Sequence, residues 1–250
     1  VIGALVRSEW TKLLTTRVWI GLLLGACAFG GGFAALFTGL AGGEGVPALG
    51  TPDYEQTVLA VAANGTVFAL ILGIIGVTQE YRHRTATPTF LSSPHRWRVV
   101  VAKLLAYVAA AVPFALVACA VTAVVALVYS SARGTALTFD QDNLVVLARA
   151  GLAIVIYVVI GIGLGALLRN QVGAIVGALV FLYVVEPLLG SIPATQGLYK
   201  WLPGGALSAM TSDFQAPDVL GPWQGAAILV AYGLVAAALA TLLTVRRDVV

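Results

Sequence analysis

The sequence predicts an all-α membrane protein of six transmembrane helices, and three observations carry the prediction. Of its 250 residues, 60% are hydrophobic and only 10% charged, against roughly a quarter charged in soluble domains. The apolar residues come in runs of about 18 or more, the length a helix needs to cross a hydrocarbon core of about 30 Å. Lys and Arg gather at the margins of those runs. The short alternating segments of a β-barrel are absent.

Element by element, spans are expected at 18–40, 57–78, 102–129, 147–168, 172–189 and 224–245. Pro113 falls inside the third, where a membrane helix tolerates it as a kink. The first run is too long, and continues too smoothly into the bundle, to read as a cleaved signal peptide. Ahead of it, Ile2, Leu5, Val6, Trp10, Leu13 and Leu14 recur at helical spacing, with Arg7, Ser8, Thr11, Lys12 and Thr15 on the other face. Two readings stand for 1–17: an amphipathic elbow helix lying in the headgroup plane with its cations toward anionic lipid and bracing the first span, or a solvated basic lead-in that only fixes topology.

Orientation follows from the charges. With both termini inside, the inner segments hold Arg7, Lys12, Arg17, Arg82, Arg84, Arg96, Arg98, Lys103, Arg169, Arg246 and Arg247, and the outer side holds Arg133, Arg149 and Lys200. That asymmetry predicts cytoplasmic termini in a multi-pass plasma-membrane protein. The acidic residues Glu44, Asp53, Glu55, Asp140, Asp142, Asp213 and Asp218 all fall outside. The basic pI is thus explained by topology and lipid contact rather than by nucleic acid.

Segment 79–103, QEYRHRTATPTFLSSPHRWRVVVAK, is the largest polar interruption on the inner side and carries five of the fourteen Lys and Arg residues. Pro88 and Pro94 disfavour helix in Thr87 and Ser93, leaving room for a short helical turn over 85–91. Ser93 is then placed to cap a new helix with Pro94 in its first position. Phe90 and Leu91 are apolar anchors in a wet loop. From the residues alone two readings stand: a coupling loop that docks a soluble partner, or a basic loop that sets topology and touches lipid.

Other signals are sparse. Glu186, followed by Pro187, is an acidic residue near the end of an apolar span. It is read either as bonding backbone groups freed nearby or as lining a path with polar residues such as Asn64. Gly21/Gly25, Gly161/Gly165 and Gly173/Gly177 have the spacing that lets membrane helices approach closely. His83 and His95 have no convergent carboxylate or Cys set, and Cys27 and Cys119 are isolated, so neither a metal site nor catalytic residues are expected. No Gly-x-x-x-x-Gly-Lys-[Ser/Thr] loop occurs in the sequence, so the chain is not expected to hydrolyse ATP.

EWTKLLTTR at 9–17 and the segment 79–103 resemble the permease subunit of a type-2 ATP-binding cassette (ABC) exporter, most closely the small six-span actinobacterial group. EPLL at 186–189 and WLPGGAL at 201–207 are similar to that group as well. The resemblance implies that 79–103 carries a coupling helix, with Glu80, Tyr81, Arg82, Thr85, Thr87, Pro88, Phe90 and Leu91 at or near the contact with an ATPase subunit. It implies re-entrant helices over the extracellular segment 190–223, and a single permease domain over 1–250. It further implies a second permease subunit, identical or different, ATP and Mg bound by the partner and no cofactor on this chain, and export of an amphipathic, lipid-like or drug-like substrate. The competing expectation is a secondary transporter or channel without an ATPase, which would require ionisable groups at mid-membrane. An intramembrane enzyme would require such groups clustered at one depth.

Overall fold

In the computed structural model, residues 2–82, 96–211 and 220–246 are described, and they are built of helices and their connections, with no strand among them. Six helical segments are long and apolar enough to cross a membrane: Val18–Leu40, Pro52–Arg82, Trp97–Ala132, Gln141–Leu168, Gln171–Ser191 and Pro222–Leu242. The predicted spans are all present, and several begin earlier than hydropathy suggests.

The early starts have a local cause. Helix α1 (Ile2–Thr15) leads into α2 (Val18–Leu40) through Arg17 in a left-handed conformation. Helix α3 (Pro52–Ala60) is capped by Thr51, whose hydroxyl accepts from the Tyr54 N–H at 3.2 Å, with Pro52 in its first position. A 3₁₀ turn, Val61–Asn64, joins it to α4 (Gly65–Arg82). Helix α5 (Arg96–Ala132) continues through Pro113, and α6 (Gln141–Leu168) starts from Asp140, whose carboxylate accepts from Asn143 N–H at 2.9 Å. Polar first turns that cap a helix fall below any hydropathy threshold, yet the cap side chains satisfy N–H groups that would otherwise be orphaned.

Helix α7 (Gln171–Val180), capped by Asn170, passes through a wider π turn at Phe181–Val185 into α8 (Glu186–Ser191). Two short helices follow, α9 (Gln196–Tyr199) and α10 (Pro203–Thr211), and α11 (Pro222–Arg246) closes the bundle. The final helix therefore takes in 222–223, which the sequence reading assigned to the re-entrant segment.

The core is centred on α4 and α6, which pack on each other more extensively than any other pair of described elements, with α11 against α6 and α2 against α5. Between α4 and α6 the backbones touch. A Cβ added to Gly73 would lie 2.1 Å from the Val158 carbonyl oxygen, and one at Gly161 would lie 2.2 Å from that of Leu70. Gly165 sits against Ile74 in the same seam, and Gly25 faces the Phe68 ring. Gly21 and Gly177 border open space, and the nearest atoms to Gly173 belong to its own cap, Asn170. Small residues allow this approach, which replaces the missing hydrophobic drive between helices in lipid with close dispersion contact.

The end of the bundle opposite α1 is tied by polar contacts. The Glu55 carboxylate accepts from the Asn143 side chain at 2.6 Å and from the Thr138 N–H and hydroxyl. Thr38 and Tyr54 share a hydrogen bond at 2.8 Å, and Arg133 donates to the Thr38 carbonyl.

Candidate functional site

The three sequence stretches EWTK, QEY and VAK converge at the α1 end of the bundle. Glu9 and Lys12 lie one helical turn apart on α1; Glu80 is in the last turn of α4; Lys103 is two turns into α5. Lys12 Nζ lies 2.6 Å from Glu9 Oε1 and 2.9 Å from Glu80 Oε1. Lys103 Nζ lies 3.1 Å from Glu80 Oε1, bonds the other Glu9 oxygen, and donates to the Gly76 carbonyl at 2.9 Å. Glu9, Glu80 and Lys103 are buried, while the Lys12 side chain is about one-third exposed.

Two cations and two anions neutralise one another, and this balance is what permits their burial. Partial burial opposes the charge on Lys12, but Glu80 and then Glu9 outweigh it and hold the ammonium above its ordinary value. The Lys103 ammonium also stands 5.7 Å from the centre of the Tyr107 ring.

This arrangement corrects one expectation. Lys12 does not extend toward lipid headgroups: it turns inward, because two carboxylates lie within reach on that side. The buried face of α1 runs through Glu9 and Leu13, with Val6 and Trp10 packed partly against the core.

The cluster brackets segment 79–103. Of the residues expected at a partner contact, Glu80 faces the interior, Tyr81 is half-buried beneath the Arg169 guanidinium at 5.3 Å, and Arg82 is exposed. Thr85, Thr87, Pro88, Phe90 and Leu91 lie outside the described residues, as do Ser93 and Pro94. The pairing of Glu9 with Lys103 escaped the sequence reading, which took Lys103 as an inner-side cation and Glu9 only as part of a motif. The available signal was an acid and a lysine, Glu80 and Lys103, each within a turn or two of a polar loop, facing an i, i+3 Glu–Lys pair on a preceding helix.

At the other end of the chain, EPLL and WLPGGAL meet. The Glu186 carboxylate, 1% exposed, accepts from the Gly204 N–H at 2.7 Å. Gly204 is in the first turn of α10, whose N–H groups have no helical acceptor. A Cβ at Gly204 would lie 2.0 Å from Glu186 Oε2, and one at Gly205 would lie 2.0 Å from the Tyr199 carbonyl oxygen. The paired glycines are therefore required by close approach, one to a carboxylate and one to a backbone. Tyr157 donates to Pro203 O at 3.1 Å, and Tyr232 to Trp201 O at 3.1 Å, tying the same segment to α6 and α11. Glu186 Oε1 has no hydrogen-bond partner among the described residues.

Glu186 and Asn64 are not brought together. Asn64 lines a cavity of about 380 Å³ between α2, α3 and α10, in whose wall Glu186 takes no part. No group of three or more His, Cys, Asp or Glu able to hold a metal ion occurs among the described residues.

Two comparisons bear on identity. No curated protein matches the chain. A family model described as ABC-2 family transporter protein matches residues 41–249, which takes in five of the six apolar helices, the segment after α4 and the Glu186–Gly204 contact. The chain belongs to the ABC-2 transporter family, and is a permease component of an ABC transporter.

Proposed function

We propose that the chain is the permease of an ATP-driven exporter, powered by a separate ATP-binding subunit that docks on segment 79–103. The observation that carries this reading is the buried cluster: Glu80 and Lys103, near the two margins of that segment, are both tied to α1. A docking element that transmits a push must rest on something stiff, and four mutually neutralised charges, three of them buried, provide such a seat. ATP and Mg belong to the partner, since this chain carries no P-loop. Arg82, Thr85, Thr87, Pro88, Phe90 and Leu91 form the contact, Tyr81 and Glu80 supporting it from within.

In this reading α1 is the elbow helix bracing the first span, and α8 to α10 form the re-entrant segment on the extracellular side. Both termini are cytoplasmic in the plasma membrane, on the eleven-to-three Lys and Arg asymmetry. A second permease subunit pairs with this one around the path, and the cargo is amphipathic or lipid-like.

Affinity purification of the chain from its native membrane should recover an ATP-binding cassette ATPase. The triple variant Arg82→Glu, Arg84→Glu, Phe90→Asp should lower that recovery about ten-fold or more, the loss expected when anchor residues of an interface are reversed. Undiminished recovery and coupled ATPase activity in the triple variant would refute docking at this segment.

A further inference from the structure

The cavity that holds Asn64 is unusual in the chemistry of its wall. Along α3 and the 3₁₀ turn, Asp53, Gln56, Thr57 and Asn64 recur at helical spacing and all face it, and Ser208 and Thr211 of α10 stand opposite. Asp53, Gln56, Asn64 and Ser208 make no side-chain hydrogen bond among the described residues. The Thr57 hydroxyl is a sharper case. Thr38, Thr66, Thr78, Thr122 and Thr211 each donate to a carbonyl three or four residues back, whereas buried Thr57 Oγ1 has no partner among the described residues. Asp53 and Ser208 are exposed, Gln56 and Asn64 are half-buried, and the Thr57 hydroxyl is the buried group of the row without a partner. The cavity therefore offers a polar ligand an open acidic end and one unsatisfied hydroxyl within.

The cavity also has length and a sign. From Asp53 to Asn64 is eleven residues, about 17 Å along a helix. The span Pro52–Arg82 has 31 residues, about 46 Å in all, so the row runs from its outer end nearly to its middle. Phe33 and Phe37 of α2 supply an apolar wall beside the polar one. Among the described residues Asp53 is the charged one of the lining, and no Lys or Arg contributes to it. Arg133, at the same end of the bundle, is turned to the carbonyls of Thr38 and Gly39.

We propose that this cavity is a binding site for amphiphiles with a protonated-amine head, Asp53 taking the charge, Thr57, Gln56 and Asn64 the hydrogen bonds, and the two phenylalanines the tail. That the occupant is the transported cargo rests on the permease reading above; binding itself does not.

The test uses three dansylated alkyl probes that share one tail and end in a primary amine, its N-acetyl derivative or a carboxylate. Binding to the full chain in phosphatidylcholine nanodiscs is read by fluorescence anisotropy. The amine should bind about five-fold more tightly than the acetamide, the scale of a partly exposed ion pair, and the carboxylate weakest. Asp53→Asn should abolish the amine's advantage while leaving acetamide binding in place, which a merely structural role for Asp53 would not do. Ala60→Trp, or Ser208→Phe on the opposite wall should the first misfold, fills the cavity and should remove binding of all three. Adding phosphatidylethanolamine separates sources: competition identifies a membrane lipid amine, its absence a soluble one. Equal binding of the three heads, untouched by either filling variant, would mean membrane partition or a water-filled vestibule and would overturn the proposal. Recovery of the ATPase with the same variants is scored separately, so a failed permease reading and a failed binding site give different results.

Discussion

Glu80 and Glu186 are both buried glutamates beside a loop, and their surroundings differ in kind. Glu80 shares a four-charge cluster in which Lys12 and Lys103 both reach its Oε1. Glu186 has a single hydrogen bond from a backbone N–H, and its second oxygen has no partner among the described residues. The first is held by opposite charge, the second by shape, because glycine at 204 leaves room for a carboxylate. A charge-held site fails when one member is neutralised, since the others are left uncompensated in low dielectric. A shape-held site fails when volume is added.

The largest effect should come from breaking the charge-held site. Lys103→Met removes the most central cation and leaves Glu9 and Glu80 sharing Lys12. The expected cost is about 3–5 kcal/mol, read as a lowered unfolding midpoint of the purified protein in detergent. A loss below about 1 kcal/mol would show that the cluster is not a structural clamp.

Adding volume at the second site comes next. Gly204→Ala should destabilise by about 1–3 kcal/mol through overpacking. Glu186→Ala in the same chain should recover much of that loss, because the atom it collides with is gone. The double-mutant cycle tests this directly: additive losses would show that Gly204 and Glu186 are not in contact.

The smallest effect is a pH dependence at the first site. The carboxylates raise Lys12 above its ordinary 10.5, so its contribution is fully present below that value and is lost as pH rises through the higher folded-state value. Unfolding midpoints should therefore fall above about pH 10.5, and Lys12→Met should flatten that part of the curve. An unchanged slope in Lys12→Met would assign the alkaline loss to another group.

The six spans were legible because hydropathy over a membrane length is a strong signal, and membership of the family agrees with the motifs read in order around them. The span starts were not, because Thr51 and Asp140 extend helices through polar turns that no apolar window registers. Nor was the pairing of charges. Counting Lys12 and Lys103 as inner-side cations treats each as facing lipid or water. Their partners lie 68 and 94 positions away in sequence, at Glu80 and Glu9, and only the packing of α1 on α4 and α5 brings them together. WLPGGAL is similar: the resemblance marks the motif, but what its glycines are for shows only when Glu186 and the Tyr199 carbonyl are seen against them.

The backbone contact between α4 and α6 has a mechanical meaning. Rotating or sliding α4 against α6 would bring side-chain-bearing neighbours of Gly73 and Gly161 against the Val158 and Leu70 carbonyls, where there is no room for a Cβ. The two helices are therefore keyed together as a single beam. With 28 residues in α6, about 42 Å long, that beam has Glu80 near one tip and the Glu55–Asn143 bond at the other. The tight α4–α6 seam thus joins the end where α4 stops, near Glu80, to the far side of the bundle, where the wall of the Asn64 cavity begins.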